Sequence, residues 1–87
     1  METFGEKLKT LRIMHNLSQR ELGQRMGGIK QQTIAQYEKK EKAPKLETVL
    51  KIADALGINP NVFYTDKQLW EVFKKHFGLL MNQLLSK

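Results

Sequence analysis

The stretch from Leu17 to Tyr37, LSQRELGQRMGGIKQQTIAQY, holds two short helical patterns joined by a turn. The first opens at Ser18, whose hydroxyl can accept a hydrogen bond from free backbone amides, and Glu21 completes a capping box. Gly23 lies inside this helix, where glycine costs about 1 kcal/mol relative to alanine. This cost indicates a close approach, which we expect from the second helix. Turn glycines and spaced apolar residues complete the pattern, which predicts a helix-turn-helix.

The second helix of this motif directs small and polar side chains outward. At about 100° per residue, one outward face carries Gln31, Gln32, Ala35, Gln36 and Lys39. Glutamine can form a bidentate pair with adenine in the DNA major groove, and alanine can contact a thymine methyl group. We therefore predict that Gln31, Gln32, Ala35 and Gln36 read DNA bases. The alternative is an ordinary solvated face that is rich in glutamine.

Residues 4–64 resemble the Cro/repressor-type helix-turn-helix family, also called the XRE family. The matching stretches, spread over five expected helices, are FGEKLKTLR, LSQRELGQRMG, QQTIAQYEKK and PKLETVLKIADALGINPNVFY. Two features depart from the family pattern: the turn has one extra residue within Gly28-Ile29-Lys30, and Lys45 replaces a small polar cap of the fourth helix. The resemblance implies an all-α fold with a compact five-helix repressor-like DNA-binding domain. A C-terminal amphipathic helix, predicted from its own apolar spacing, follows this domain.

The resemblance also implies a largely buried ion pair between Arg12 and Glu38, which would join the first and third helices. The helical phase agrees, because Arg12 follows Leu8 by four residues and Glu38 follows Ile34 by four. Two exposed charges are the alternative. A buried pair would specify packing more than it would stabilise the fold.

Contacts to the DNA backbone are predicted from the resemblance and from the charged loop KKEKAPK that follows the motif. Family members commonly meet the backbone at the start of the second helix, which implies this role for Gln19. Solvated lysines of the loop can approach phosphates. The predicted backbone-contacting residues are Gln19, Lys30, Thr33, Lys39, Lys40 and Lys42.

The positive charge is concentrated in the half that carries the motif. The 87-residue chain has a formal net charge of +6, which allows one small domain with a basic surface. Residues 1–45 contribute ten Lys/Arg and five acids, whereas residues 46–87 contribute five Lys and four acids. This asymmetry fits phosphate binding, although an acidic protein surface or anionic lipid would fit charge alone.

Several classes of function are not expected. The chain has no cysteine, and its two histidines are far apart, so neither a catalytic constellation nor a metal or cofactor site is evident. No apolar run approaches the roughly 20 residues of a membrane span, and no secretory leader follows Met1. We expect a cytoplasmic, nucleoid-associated prokaryotic or phage protein that is not an enzyme, with no small-molecule ligand evident.

The remaining helices of residues 1–64 have clear end signals. Thr3 and Glu6 can form a capping box, and Asn16 can stop the first helix in a left-handed conformation. In the fourth helix an apolar stripe is predicted, followed by the stop residue Gly57. The stripe residues are Leu46, Val49, Leu50, Ala53 and Leu56. Asn59 can cap a short helix beginning at Pro60, and Val62 and Phe63 are expected to close the core.

Residues 65–87 form the second predicted unit, a helix capped by Thr65 or Asp66. Its apolar arc is wider than one docking surface requires, which predicts an interface with an identical chain. The predicted interface residues are Leu69, Trp70, Phe73, Phe77, Leu80, Met81 and Leu84. The alternatives are a helix that merely completes the core, a membrane-surface helix with Lys74 and Lys75 on its polar side, or an antitoxin-like or regulator-binding module that binds a toxin or a different regulator.

These features together predict a sequence-specific double-stranded DNA-binding regulator. A symmetric homodimer would bind a near-palindromic operator with half-sites about 10 bp apart. Repression by occupying a promoter is the simplest mechanism that such a chain could use.

Overall fold

A computed structural model describes residues 2–85 of the chain. The α-helices are α1 (Phe4–Met14), α2 (Gln19–Arg25), α3 (Gln31–Tyr37), α4 (Leu46–Leu56) and α5 (Asp66–Leu85). The short helix between α4 and α5, Pro60–Phe63, is a 3₁₀ helix. The described residues contain helices and no strand, so the all-α class is confirmed.

Side-chain caps fix where the first two helices begin. The Thr3 hydroxyl accepts a hydrogen bond from the Glu6 amide at 3.2 Å, and the Ser18 hydroxyl accepts one from the Glu21 amide at 3.0 Å. Each glutamate in turn accepts a hydrogen bond from the backbone amide of its cap. Asn16 is left-handed at φ 56°, and the chain turns there into the buried Leu17. These predicted boundaries are confirmed.

The core lies among α1, α2, α3, α4 and the 3₁₀ helix. Its buried apolar residues are Phe4, Leu8, Leu17, Leu22, Ile34, Val49, Ile52, Ala53, Leu56 and Phe63. The rings of Phe4 and Phe63 meet with centroids 5.2 Å apart, which joins the two ends of the domain's chain. Gly57 ends α4 in the left-handed conformation, as predicted.

Two predicted core residues are exposed instead. Leu50 is 45% exposed, whereas Ile52 is fully buried. The reason is helical phase: Val49, Ile52 and Leu56 centre the buried arc of α4, and Leu50 lies about 125° from that centre. Val62 is also exposed, because the 3₁₀ helix directs its neighbour Phe63 inward.

Glycines allow two backbone segments to approach helices closely. A Cβ at Gly23 would collide with the carbonyl of Ile29, while the nearest atom of α3, Cγ1 of Ile34, would lie at an ordinary 3.6 Å. The close neighbour is therefore the turn, not the second helix that the sequence suggested. A Cβ at Gly5 would collide with the backbone carbonyl of Glu38, so α1 and the end of α3 also touch.

None of the residues of the long helix α5 whose side chains the structure describes belongs to the buried core. Thr65 caps it, because its hydroxyl accepts a hydrogen bond from the Gln68 amide at 3.2 Å. The rings of Trp70, Phe73 and Phe77 stack in a row with successive centroids 5.7 Å apart, and each of these residues is at least half exposed. None of the described helices has the length and apolar character needed to cross a membrane.

The contact at Gly23 yields a stability prediction. Gly23→Ala should lower the free energy of unfolding by about 1–3 kcal/mol, because the added methyl group forces α2 away from the Ile29 carbonyl. Urea unfolding followed by circular dichroism measures the change. Gly78→Ala is the control, because no described atom lies within 4 Å of its Cβ position. Alanine there should leave stability unchanged or raise it by up to about 1 kcal/mol. Equal effects at the two positions would contradict the close contact.

Candidate nucleic-acid interface

The start of α3 is set by the turn at residues 26–30. Gly27 and Gly28 both have positive φ, at 93° and 96°, a conformation that other residues rarely adopt. Lys30 is the N-cap residue of α3, with an exposed side chain that makes no capping hydrogen bond. The longer turn therefore places Lys30 at the tip of α3, and Gln31 is its first helical residue.

One face of α3 is anchored in the core, and the opposite face is open. Ile34 is fully buried, and Tyr37 packs against the core from the same side. On the open side, Gln31, Gln32 and Gln36 are exposed. Of the other predicted contact residues, Ala35 is half-buried among these glutamines, and Thr33 is half-buried at the edge of the face. The arrangement presents amide groups around a small residue, which is the shape and chemistry that base edges require.

Arg12 and Glu38 form a buried, two-pronged ion pair between α1 and the end of α3. Nε of Arg12 donates to one carboxylate oxygen at 2.6 Å and Nη2 donates to the other at 3.2 Å. Their side chains are only 10% and 5% exposed. The Nη1 group donates to the carbonyl of Leu17 at 2.7 Å, so the guanidinium also holds the loop before α2. Bidentate geometry of this kind is stronger and more directional than a single contact.

Gln19, at the start of α2, completes this cluster. Its side-chain amide donates to Oε1 of Glu38 at 3.1 Å, and the residue is half-buried. The sequence assigned Gln19 to the DNA backbone and did not foresee this contact. An amide nitrogen has two donors, so the bond to Glu38 orients the side chain and uses only one of them.

The lysine loop after α3 is fixed through its backbone. The amides of Phe4 and Gly5, which begin α1, donate to the carbonyls of Glu41 and Lys40 at 3.0 and 2.8 Å. These bonds satisfy amides that a helix start leaves free. With its carbonyls held inward, the loop leaves Lys39, Lys40 and Lys42 exposed. The sequence did not predict this link between α1 and the lysine loop. The only sign of it in the sequence was Gly5, in the first turn of α1.

Glu21 gives α2 a mild dependence on pH. Hydrogen bonds from the backbone and hydroxyl of Ser18 lower the pKa of the Glu21 carboxyl below its ordinary value of 4.5. A carboxylate whose pKa is lowered by folding stabilises the folded state at neutral pH. This contribution is lost as the pH falls through the lowered pKa. The Ser18–Glu21 capping box should therefore weaken in acid.

The fold and the open face of α3 define a helix-turn-helix DNA-binding domain. The sequence model of the family described as "Helix-turn-helix" matches residues 8–63, which is more than half of the chain. The chain therefore belongs to the helix-turn-helix family of the Cro/repressor, or XRE, type. Among the described residues, no cluster of three or more His, Asp or Glu could hold a metal ion.

Two curated proteins are similar to the matched segment. The cryptic phage CTXphi transcriptional repressor RstR of Vibrio cholerae is 38% identical over 55 residues, which cover 63% of this chain and 49% of the repressor. An uncharacterized HTH-type transcriptional regulator of Methanocaldococcus jannaschii is 40% identical over 52 residues, covering 60% of this chain and 77% of the regulator. This chain thus spans about half the length of the Vibrio repressor. No solved structure matches it.

The buried ion pair yields a stability prediction with an internal control. Glu38→Ala should lower the free energy of unfolding by about 3–5 kcal/mol, because it leaves the buried Arg12 unpaired. Glu71→Ala removes one partner of the exposed pair Glu71–Lys74, whose atoms lie 3.5 Å apart, and should cost less than about 1 kcal/mol. Chemical denaturation of both variants measures the difference. A loss below about 1 kcal/mol for Glu38→Ala would show that the pair behaves as a surface contact.

Proposed function

We propose that this protein binds a near-palindromic DNA operator as a homodimer and represses transcription by occupying a promoter. The chain is a transcriptional regulator by family. The observation that carries the proposal is the exposed glutamine face of α3, which rests on a fully buried Ile34. The name of the Vibrio relative, a phage transcriptional repressor, supports repression rather than activation.

In this proposal α3 enters the major groove with its open face toward the bases. Gln31, Gln32 and Gln36 make hydrogen bonds to base edges, and Ala35 lies against thymine methyl groups. Lys30 and Thr33 at the first turn of α3, together with Gln19 and the lysine loop, contact phosphates on either side. Such phosphate contacts position the domain without reading sequence.

The homodimer is proposed from the surface of α5. Five of its large apolar residues lie along one side of the helix and are 50–56% exposed: Trp70, Phe73, Phe77, Leu80 and Leu84. Isolated exposed side chains of this kind need no explanation. A continuous row of them indicates a surface that a partner covers. Two linked domains also gain effective concentration at paired half-sites, which a single small domain lacks.

A second candidate function uses the same exposed row. An antitoxin-like or regulator-binding module would cover α5 with a different protein rather than with a copy of itself. The pure protein distinguishes the two functions by its mass in solution. A dimer in static light scattering supports the proposed regulator, whereas a monomer at high concentration supports the interaction module.

Base reading by α3 is tested with operators selected from random duplexes. Gln32→Ala should weaken binding to the selected operator by about 1–3 kcal/mol and barely change binding to random DNA, because only the base contact is lost. Gln24→Ala, an exposed glutamine of α2 outside the predicted set, is the matched control and should change neither. Equal losses on both DNAs for Gln32→Ala would contradict base reading.

Phosphate contacts by the lysine loop are tested by salt dependence. Lys39→Ala and Lys42→Ala should each reduce the slope of log affinity against log salt by about 1 on every DNA sequence, because one phosphate contact releases about one counterion. Lys51, on the exposed side of α4, serves as the control residue and its alanine variant should keep the slope. Unchanged slopes for both loop variants would place the DNA on another surface.

A further inference from the structure

We propose that α5 pairs with α5 of a second copy of this chain in antiparallel orientation. The inference rests on the homodimer of the proposed function and adds which face pairs, in which direction, and how far apart the pairing holds the two DNA-binding domains. It follows from the orientation of α5, the spacing of its apolar residues and their sizes.

The polar side of α5 faces its own domain. A groove of about 850 Å³ separates α5 from the loop before α4 and the start of α4. From α5 the groove is lined by Lys67, Gln68, Glu71 and Lys75. By helical phase the row Trp70, Phe73 and Phe77 lies on the opposite side. The apolar side of α5 therefore points away from the core of its own chain.

The apolar side has the spacing of a coiled-coil seam. Its central residues follow one another at intervals of three, four, three and four: Trp70, Phe73, Phe77, Leu80 and Leu84. This repeat of 3.5 residues keeps one side of a helix facing a partner helix. Leu69 and Met81, both half-buried in the single chain, flank the seam. Two helices of this kind can pack side by side along their length.

The exposed area suits a second helix of equal length. The five seam residues are 50–56% exposed, so each leaves roughly 100 Å² uncovered. Two such seams could bury up to roughly 1,000 Å², which is near the lower bound for a specific protein interface. A copy of α5 can cover most of this area, because it carries the same row at the same length.

The sizes of the seam residues favour antiparallel pairing. In a parallel pair every seam residue faces the same residue of the partner helix. Three layers would then be purely aromatic, formed by Trp70, Phe73 and Phe77, and the two leucine layers would be narrower. Helix axes in contact lie about 8–10 Å apart, and such uneven layers would force them to diverge. Antiparallel pairing instead places an aromatic residue opposite a leucine in at least half of the layers, which mixes large and small residues as tight packing requires.

Two antiparallel registers fit the seam. One sets Trp70 against the partner's Leu80, and the other sets Phe73 against the partner's Leu84. At 1.5 Å per residue, the two Thr65 residues, where each domain joins its helix, then lie about 30 or 40 Å apart along the pair. Half-sites one helical turn apart are separated by about 34 Å. The length of α5 thus separates the two domain junctions by a distance comparable to the half-site spacing.

The interface is tested first by matched charge substitutions in the full chain. Phe77 and Leu79 are exposed to similar extents, 50% and 55%, but only Phe77 lies on the seam. Phe77→Asp should convert the dimer to a monomer in static light scattering, and Leu79→Asp should remain a dimer. Dimers in both variants would place the interface elsewhere and overturn the inference. A monomeric parent chain would overturn both the inference and the proposed homodimer.

The orientation of the two helices is then measured with spin labels attached to introduced cysteines. These labels are site-specific because the chain has no native cysteine. Labels on Lys67→Cys should lie about 25–35 Å apart in an antiparallel pair, whereas a parallel pair holds them at about 10–20 Å. Disulfide cross-linking between two Leu84→Cys chains gives a second readout. In an antiparallel pair the two cysteines lie at opposite ends of the seam, so the cross-linked fraction should stay at the level of the off-seam control Leu79→Cys. A short label distance with efficient Leu84 cross-linking would overturn the orientation and leave the dimer intact. Operator binding by α3, assayed separately, is independent of either result.

Discussion

The carboxylate of Glu38 is the point at which three helices of the domain meet. It accepts two hydrogen bonds from Arg12 of α1 and one from Gln19 of α2, while the residue itself ends α3. The same guanidinium holds the Leu17 carbonyl between α1 and α2. A buried ion pair of this kind adds little to the stability of the fold compared with well-packed apolar residues. Its directional bonds instead specify one arrangement of the three helices, which apolar contacts alone define less sharply.

The orientation of α3 depends on this arrangement because α3 is short. Its seven residues make about two turns, and an isolated helix of that length is marginal in water. Three contacts hold it: the turn carbonyl of Ile29 against Gly23 before it, the buried Ile34 at its middle, and Glu38 at its end. The exposed glutamines therefore owe their direction to residues outside the proposed base-reading set. Under the proposal that α3 reads bases, substitutions in this scaffold should alter DNA reading without changing the reading face.

Local signals in the sequence predicted the helix ends well. Capping boxes, a left-handed asparagine and a terminal glycine act through neighbouring residues, so they can be read from the chain itself. Contacts between distant segments were harder to foresee. Gly5 against Glu38, and Gln19 beside the ion pair, depend on where the helices cross. Leu50 was misplaced for a related reason, because the centre of a buried arc is set by the neighbouring helix and not by apolar spacing alone.

The size of the proposed α5 interface has a consequence for regulation. An interface of roughly 1,000 Å² lies at the weak end of specific association, so we expect monomers and dimers to exchange at cellular concentrations. An operator with two half-sites binds the dimer more tightly than the monomer, and by linkage it must favour dimerisation to the same extent. Occupancy would then rise more steeply with protein concentration than binding of a single domain allows. Under this proposal, the stacked aromatic residues of α5 help to set the protein concentration at which α3 occupies the operator.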